Sequence, residues 1–177
     1  GNSEVVAHAV AEIHKLRNEQ TSSEVEQSRT IGCIVNHVDT AVKIANELKK
    51  RKLNVELIVG RMRTYDLEQL REKHPLLFTC VGDNEIDVVV ATQTLEVGID
   101  IDFSSLVTEL APASSLAQRF GRVNRLGKRT DSKVVVLEPV DLAKVKDLML
   151  PYKDDDLRKS YNWLDALSQQ GNANPAA

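Results

Sequence analysis

Five short apolar runs, rich in β-branched residues, are set into the chain with helical stretches between them. They are Thr30–Val35, Val55–Val59, Asp87–Thr92 with Val88-Val89-Val90 at its centre, Leu106–Leu110 and Val134–Leu137. Each reads as a strand, and the more uniformly apolar ones as buried strands. Residues 3–20 precede them as an amphipathic helix with Val6, Val10, Ile13 and Leu16 on one face, followed by a polar loop over 21–28. Asp39 is placed to cap a helix whose stripe is Ala41, Ile44, Ala45 and Leu48, and whose last turn, Lys49-Lys50-Arg51-Lys52, is basic. Asp66 is placed to cap a short helix over Leu67–Lys73 that Pro75 stops, and residues 76–82 read equally as strand or loop. Pro112 and Ser114/Ser115 open a helix after the fourth run. Another lies near 141–149, and a last one begins at Asp154-Asp155-Asp156 with the stripe Leu157, Tyr161, Leu164 and Ser168. Alternation of this kind predicts an α/β fold, a parallel β-sheet of about five to six strands with helices on both faces. The chain divides into a helix and loop over 1–29, a core over 30–140, helices over 141–170 and a disordered tail over 171–177.

A net charge of −3 argues against a protein basic all over, of the kind that coats nucleic acid. A local basic stripe remains compatible with it. No apolar run approaches the ~20 residues of a membrane span, and no signal-peptide pattern opens the chain. Cys33 and Cys80 both lie in apolar runs and read as buried free thiols of a reducing, cytoplasmic compartment. His8, His14, His37 and His74 lack metal-ligand spacing, so no metal centre is expected from this chain alone.

In parallel sheets ligands gather beyond the carboxyl ends of the strands. Asn36 follows the first run, Arg61 the second and Thr92-Gln93 the third. After the fourth comes Gln118-Arg119-Phe120-Gly121-Arg122-Val123-Asn124-Arg125. Read as a helix at about 100° per residue, it sets Gln118, Arg122 and Arg125 within roughly 40° of one another. Leu116, Phe120 and Val123 then lie opposite, and Arg119, Lys128 and Arg129 add positive charge nearby. Arginine forks its donors and pairs bidentately with phosphate. Two readings stand together: a phosphate site, or a solvated basic face in which Ser115-x-x-Gln118 is a capping box. Gly121 costs about 1 kcal/mol inside a helix, which close approach of a backbone or a ligand would explain.

Taken in order, these segments resemble the second RecA-like lobe of superfamily-two helicases. Val90-Ala91-Thr92-Gln93-Thr94-Leu95-Glu96-Val97-Gly98-Ile99-Asp100-Ile101-Asp102 is similar to motif V, and Gln118–Arg125 to motif VI, Q-x-x-G-R-x-x-R. Ile34-Val35-Asn36 resembles motif IV and Gly60-Arg61-Met62-Arg63 motif IVa. The wording around Ala91–Glu96 and Leu110-Ala111-Pro112 is similar to the CRISPR-associated helicase–nuclease of type I systems. The resemblance covers roughly residues 28–140. There is no G-x-x-x-x-G-K-[ST] loop, no D-E-x-x box and no His-Asp dipeptide.

The resemblance implies a RecA-like fold and one half of an ATP site, with ATP and magnesium held mainly by a first lobe. Arg122 and Arg125 would be arginine fingers, and Gln118 would contact the γ-phosphate or orient the water. Asp100 would accept from the ribose hydroxyls, and Gly98 would shape the motif V turn. Asn36, Arg61 and Thr92 would hold the phosphates of single-stranded DNA, or of RNA, and Gln93 would couple the two sites. The partners implied are the first lobe, the strand and a CRISPR surveillance complex. A restriction-system or other DNA-processing helicase, and a non-catalytic RecA-like binding module, are the alternatives. Trp163 reads as a packing residue rather than a base-stacking platform.

Overall fold

Burial alternates along the strands. Ile31, Cys33 and Val35 face one side of the sheet while Ile34 faces the other, and Val88 and Val90 oppose Val89 and Ala91 in the same way. A period of two with both faces apolar is what a doubly covered sheet demands. The computed structural model describes residues 2–20, 29–60, 64–79, 83–95, 100–137 and 152–169. Over these the elements are α1 (Asn2–Glu19), β1 (Ile31–Ile34), α2 (Val38–Lys50), β2 (Val55–Ile58), α3 (Thr64–Lys73), β3 (Val88–Ala91), β4 (Ser105–Glu109), α4 (Ala113–Phe120), β5 (Val134–Leu137) and α5 (Asp154–Gln169).

The strands form a five-stranded sheet in the order β2-β3-β1-β4-β5. Every neighbouring pair is parallel, with Ile31 opposite both Val88 and Ser105, Val55 opposite Val88 and Leu106 opposite Val134. One face packs on α1 and α2 through Val6, Ala9, Val10, Ile13, Ala41, Ile44 and Leu48. The other carries Leu70 of α3 and, at the end of α4, Phe120. A third cluster joins Leu116 of α4 to Leu157 of α5, with Leu110 and Ala111 between them. This is the expected RecA-like α/β architecture. The chain leaves β1 towards one face and β4 towards the other. Loops parting in this way open a crevice at the carboxyl ends of adjacent strands, the usual ligand position in open sheets.

Several local expectations shift. Asp39 does not cap α2. His37 occupies that position and makes no side-chain cap bond, while Asp39 lies in the first turn. Asp66 likewise sits inside the first turn of α3, which starts at Thr64. Pro75 opens a 3₁₀ turn over Pro75–Phe78, which settles that part of the ambiguous stretch. In α5, Leu157, Ser160, Tyr161 and Leu164 face inward, whereas Ser168 is exposed. Trp163 is exposed too, because one helical step from Leu164 turns it about 100° off the stripe. Cys80, the helix near 141–149 and the tail lie outside the described residues.

Gly32 of β1 lies beneath the ring of Phe103, and a Cβ there would stand 2.7 Å from Cδ2. The ring is buried, so making room for a methyl would disturb its packing. Overpacking of this kind costs typically about 1–3 kcal/mol. Gly32→Ala is therefore expected to lower the unfolding free energy by about that much in urea melts, and Phe103→Leu added to it is expected to recover part of the loss. An unchanged urea midpoint for Gly32→Ala would show that the ring has room to move.

Candidate functional site

Motif VI is only partly helical. α4 is eight residues long and ends at Phe120, with Gly121 as its C-cap. Arg122 and Arg125 therefore lie on the loop beyond it, not on the helix face that a continuous 3.6-residue period predicts. The capping box does not form either: Pro112 is the N-cap, which puts Ser115 inside the first turn. A Cβ on Gly121 would meet only Ala117 O at 3.4 Å and Gln118 O at 3.6 Å. Among the described residues no backbone of another element approaches it, contrary to one of the two explanations expected for it.

The loop is held by its neighbours. Phe103 N–H donates to Arg122 O at 2.8 Å, and Asn124 N–H donates to Phe103 O at 3.0 Å, so Phe103 and Val123 form a parallel bridge. Arg125 N–H donates to Asp102 Oδ1 at 3.0 Å. Asn124 adopts the left-handed region at φ 48°, which an Asx residue tolerates. Its amide closes the turn in both directions: Nδ2 donates to Arg129 O at 2.8 Å, and Oδ1 accepts from Arg129 N–H at 3.0 Å. Gly127, at φ 62°, donates its N–H to Asn124 O at 2.8 Å.

On this support both guanidiniums meet one carboxylate. Arg122 Nη1 donates to Asp100 Oδ1 at 3.1 Å, and Arg125 Nη1 donates to the same oxygen. Asp100 is 67% exposed, Arg125 43% and Arg122 18%. The cluster is therefore a rim feature rather than a buried ion pair. Exposed pairs contribute only about 0–1 kcal/mol, so another anion can replace the carboxylate at little cost. Gln118 is exposed on the last turn of α4.

The remaining arginines have other partners. Arg129 is paired with Asp131 at 3.2 Å, and Lys128 is exposed. Arg119 adds no charge to the rim, because it is 0% exposed, the largest fully buried side chain among the described residues. Its Nη1 donates to Thr108 Oγ1 at 2.8 Å and to Glu109 O at 3.2 Å. Its Nη2 donates to Asn36 Oδ1 and to the Tyr152 hydroxyl, both at 3.2 Å. Asn36 is thereby engaged inside the chain. Its Nδ2 donates to Leu110 O at 2.9 Å, and its backbone N–H donates to the Glu109 carboxylate.

Thr92 is buried at the end of β3, where its N–H continues the ladder to Ile58 O at 3.3 Å. Its hydroxyl lies 3.3 Å from that of Thr94, which donates to Gly60 O at 2.6 Å. Nε2 of Gln93 is enclosed and has no hydrogen-bond partner among the described residues. Gly98 and Arg61 lie outside the described residues. The structure thus brings Asp100, Arg122 and Arg125 together and joins Asn36 to Arg119.

The sequence pattern of the C-terminal domain of the CRISPR-associated nuclease/helicase Cas3 matches residues 27–128. The chain belongs to this family. Over 121 residues it is 30% identical to the CRISPR-associated nuclease/helicase Cas3 of Streptococcus thermophilus, covering 64% of this chain and 13% of that protein. Over 92 residues it is 35% identical to the ATP-dependent helicase Lhr-Core of Sulfolobus acidocaldarius, covering 48% of this chain and 10% of that one. The crystal structure of T. fusca Cas3 aligns at a TM-score of 0.65 over 81% of this chain and 19% of that chain, at 21% identity, a likeness of fold. The chain spans only a small part of the length of these proteins. It is a Cas3-type helicase C-terminal lobe.

Within this Cas3-family lobe, four residues that shape the site escape a reading by motif. Asp102 and Phe103 hold the arginine loop, Asn124 closes it and Arg119 anchors the helix before it. The Asn124-x-x-Gly127 spacing carries a turn signal that could have found Asn124. Nothing local distinguishes Arg119 from its exposed neighbours.

Burial raises the Glu109 carboxyl above the ordinary range, while the Asn36 N–H and the charges of His37 and Arg119 pull it partly back. A carboxyl raised in this way binds its proton more tightly folded than unfolded. Its contribution to stability is full below the unfolded value of 4.5 and is lost as pH rises through the folded value. Glu109→Gln is therefore expected to gain in melting temperature over the parent as pH rises from acid to neutral. A gap that stays constant across that range would contradict the raised carboxyl.

Proposed function

We propose that this domain is the second motor lobe of a Cas3-type helicase that unwinds and helps degrade target DNA, and that Arg122 and Arg125 complete its ATP site from across the cleft. The observation that carries this reading is the convergence of two guanidiniums on one exposed oxygen, on a loop that Phe103 holds beside the amino end of β4. Such a donor set suits a phosphate. Magnesium and the phosphate-loop lysine are assigned to the first lobe, since this sequence has neither the G-x-x-x-x-G-K-[ST] loop nor the D-E-x-x box.

Bound ATP would supply the phosphoryl group to be cleaved and the affinity that brings the lobes together. Arg122 and Arg125 then exchange the Asp100 carboxylate for phosphate oxygens, and Asp100 is freed for the ribose hydroxyls. Fingers of this kind stabilise the charge of the transition state. Gln118, exposed one turn before Arg122, is assigned to the γ-phosphate or the attacking water. Hydrolysis removes the shared anion, so the closed state loses its differential affinity.

For the strand, the first turn of α2 lies at the carboxyl end of β1 with no side-chain cap bond from His37, and the N–H groups of a helix start favour a phosphate. Asn36 serves this track indirectly, by fixing the turn into α2. Thr92 closes the adjoining strand end, Gln93 links it to the nucleotide side with its unmet donor, and Arg61 and Gly98 keep the roles that the motifs imply. A CRISPR surveillance complex is the assembly such a lobe would serve.

The isolated chain is expected to show no measurable ATP hydrolysis. In the complete helicase, Arg122→Ala is expected to lower kcat by at least ~10³. Turnover at the parental rate in that variant would remove the finger assignment. Titration of labelled single-stranded DNA at two salt concentrations separates the alternative: tight, salt-sensitive binding by this lobe alone would favour a non-catalytic binding module.

A further inference from the structure

The crevice between β1 and β4 is filled by part of the protein itself. Asn36 leaves β1, Thr108 and Glu109 end β4, and the Arg119 guanidinium reaches all three. A further acceptor is the hydroxyl of Tyr152, two residues before α5. The residue is also joined to the proposed fingers through the backbone, because Arg122 N–H donates to Arg119 O at 3.1 Å.

We propose that Arg119 is a positioning residue for Arg122 and Arg125, and that Tyr152 makes α5 part of the same device. α4 is eight residues long, and Leu116 is its only fully buried apolar side chain. Apolar contacts are non-directional and leave a short helix free to roll or slide by fractions of an ångström. A planar fork with acceptors just beyond β1, on β4 and before α5 removes both freedoms. Lysine cannot substitute, since a single ammonium on a flexible stem does not reproduce that fan of donors. A small displacement of α4 is carried by the Arg119–Arg122 hydrogen bond into the arginine loop, and misplacement by about 1 Å can cost around 10²-fold in rate. α5 lies beyond the residues that match the family pattern, so through Tyr152 an element outside that pattern bears on the motif.

This inference rests on the finger reading for its effect on rate but not for its effect on geometry, and the experiment separates the two. In the complete helicase, Arg119→Lys, Tyr152→Phe, the double variant and Arg122→Ala are compared by ATPase kinetics and by hydrogen exchange of the Arg122 and Asn124 amides. Arg119→Lys is expected to lower kcat by 10-fold or more with KM for ATP within about threefold, and to speed exchange at both amides. Tyr152→Phe, which removes one hydrogen bond and folds normally, is expected to do the same more weakly and to add nothing in the Arg119→Lys background. A merely structural role would lower the melting temperature and leave kcat per folded molecule and the amide exchange unchanged, which would overturn the proposal. Equal effects of Tyr152→Phe in both backgrounds would overturn the part played by α5. Should Arg122→Ala retain turnover, the finger reading fails, and the exchange data alone decide whether Arg119 positions the loop.

Discussion

A guanidinium sealed inside a protein is tolerated only where its donors find acceptors, since an unmatched buried charge costs several kcal/mol. Arg119 meets that condition by drawing its acceptors from β1, from β4 and from the segment entering α5. The requirement acts in both directions. These segments must arrive in register for the charge to be tolerated, and once there they are fixed relative to α4. Asn36 extends the network by donating to Leu110 O while accepting from Arg119, so the ends of the two central strands are locked together.

Three arginines within seven positions thus meet three different environments. Arg119 is enclosed, Arg122 is mostly covered and Arg125 stands half open. The gradient follows from where α4 stops. While the helix lasts, its inner face is committed to the core; past Gly121 the chain turns along Phe103 and exposes its side chains at the rim. The core reaches the site by a short route. Gly32 admits the Phe103 ring, Phe103 binds the backbone on both sides of Val123, and that backbone carries the arginines.

The strands are legible from sequence because short β-branched runs separated by helical periods leave few alternatives, and each of the five lies within one residue of its expected bounds at both ends. Helix stripes were legible for the same reason, with Ala41, Ile44, Ala45 and Leu48 buried as the period requires. Where the period was carried past its end, it misled. Gln118, Arg122 and Arg125 share a face only on a helix that continues, and α4 does not. The cap expected at Asp39 misses by two residues, and α3 starts three residues before the expected Leu67, about the usual uncertainty of helix ends or just beyond it. Arg119 is illegible for a deeper reason: its burial depends on partners such as Thr108, Glu109, Asn36 and Tyr152, which no local pattern pairs with it. The meeting of Asp100 with Arg122 and Arg125 was legible only as two adjacent motifs, and the contact itself is tertiary.

The shared carboxylate has an electrostatic consequence for the rim. Two bare guanidiniums side by side would form a strong local field that draws in any polyanion or free phosphate in the surroundings. With Asp100 between them, the rim carries one net positive charge instead of two, and the attraction for an adventitious monoanion falls accordingly. A ligand that offers several oxygens and additional contacts from a facing surface can still outcompete the carboxylate. Under the proposed function the acid would act as a filter, screening the arginines from small solutes while leaving them open to a ligand gripped from both sides.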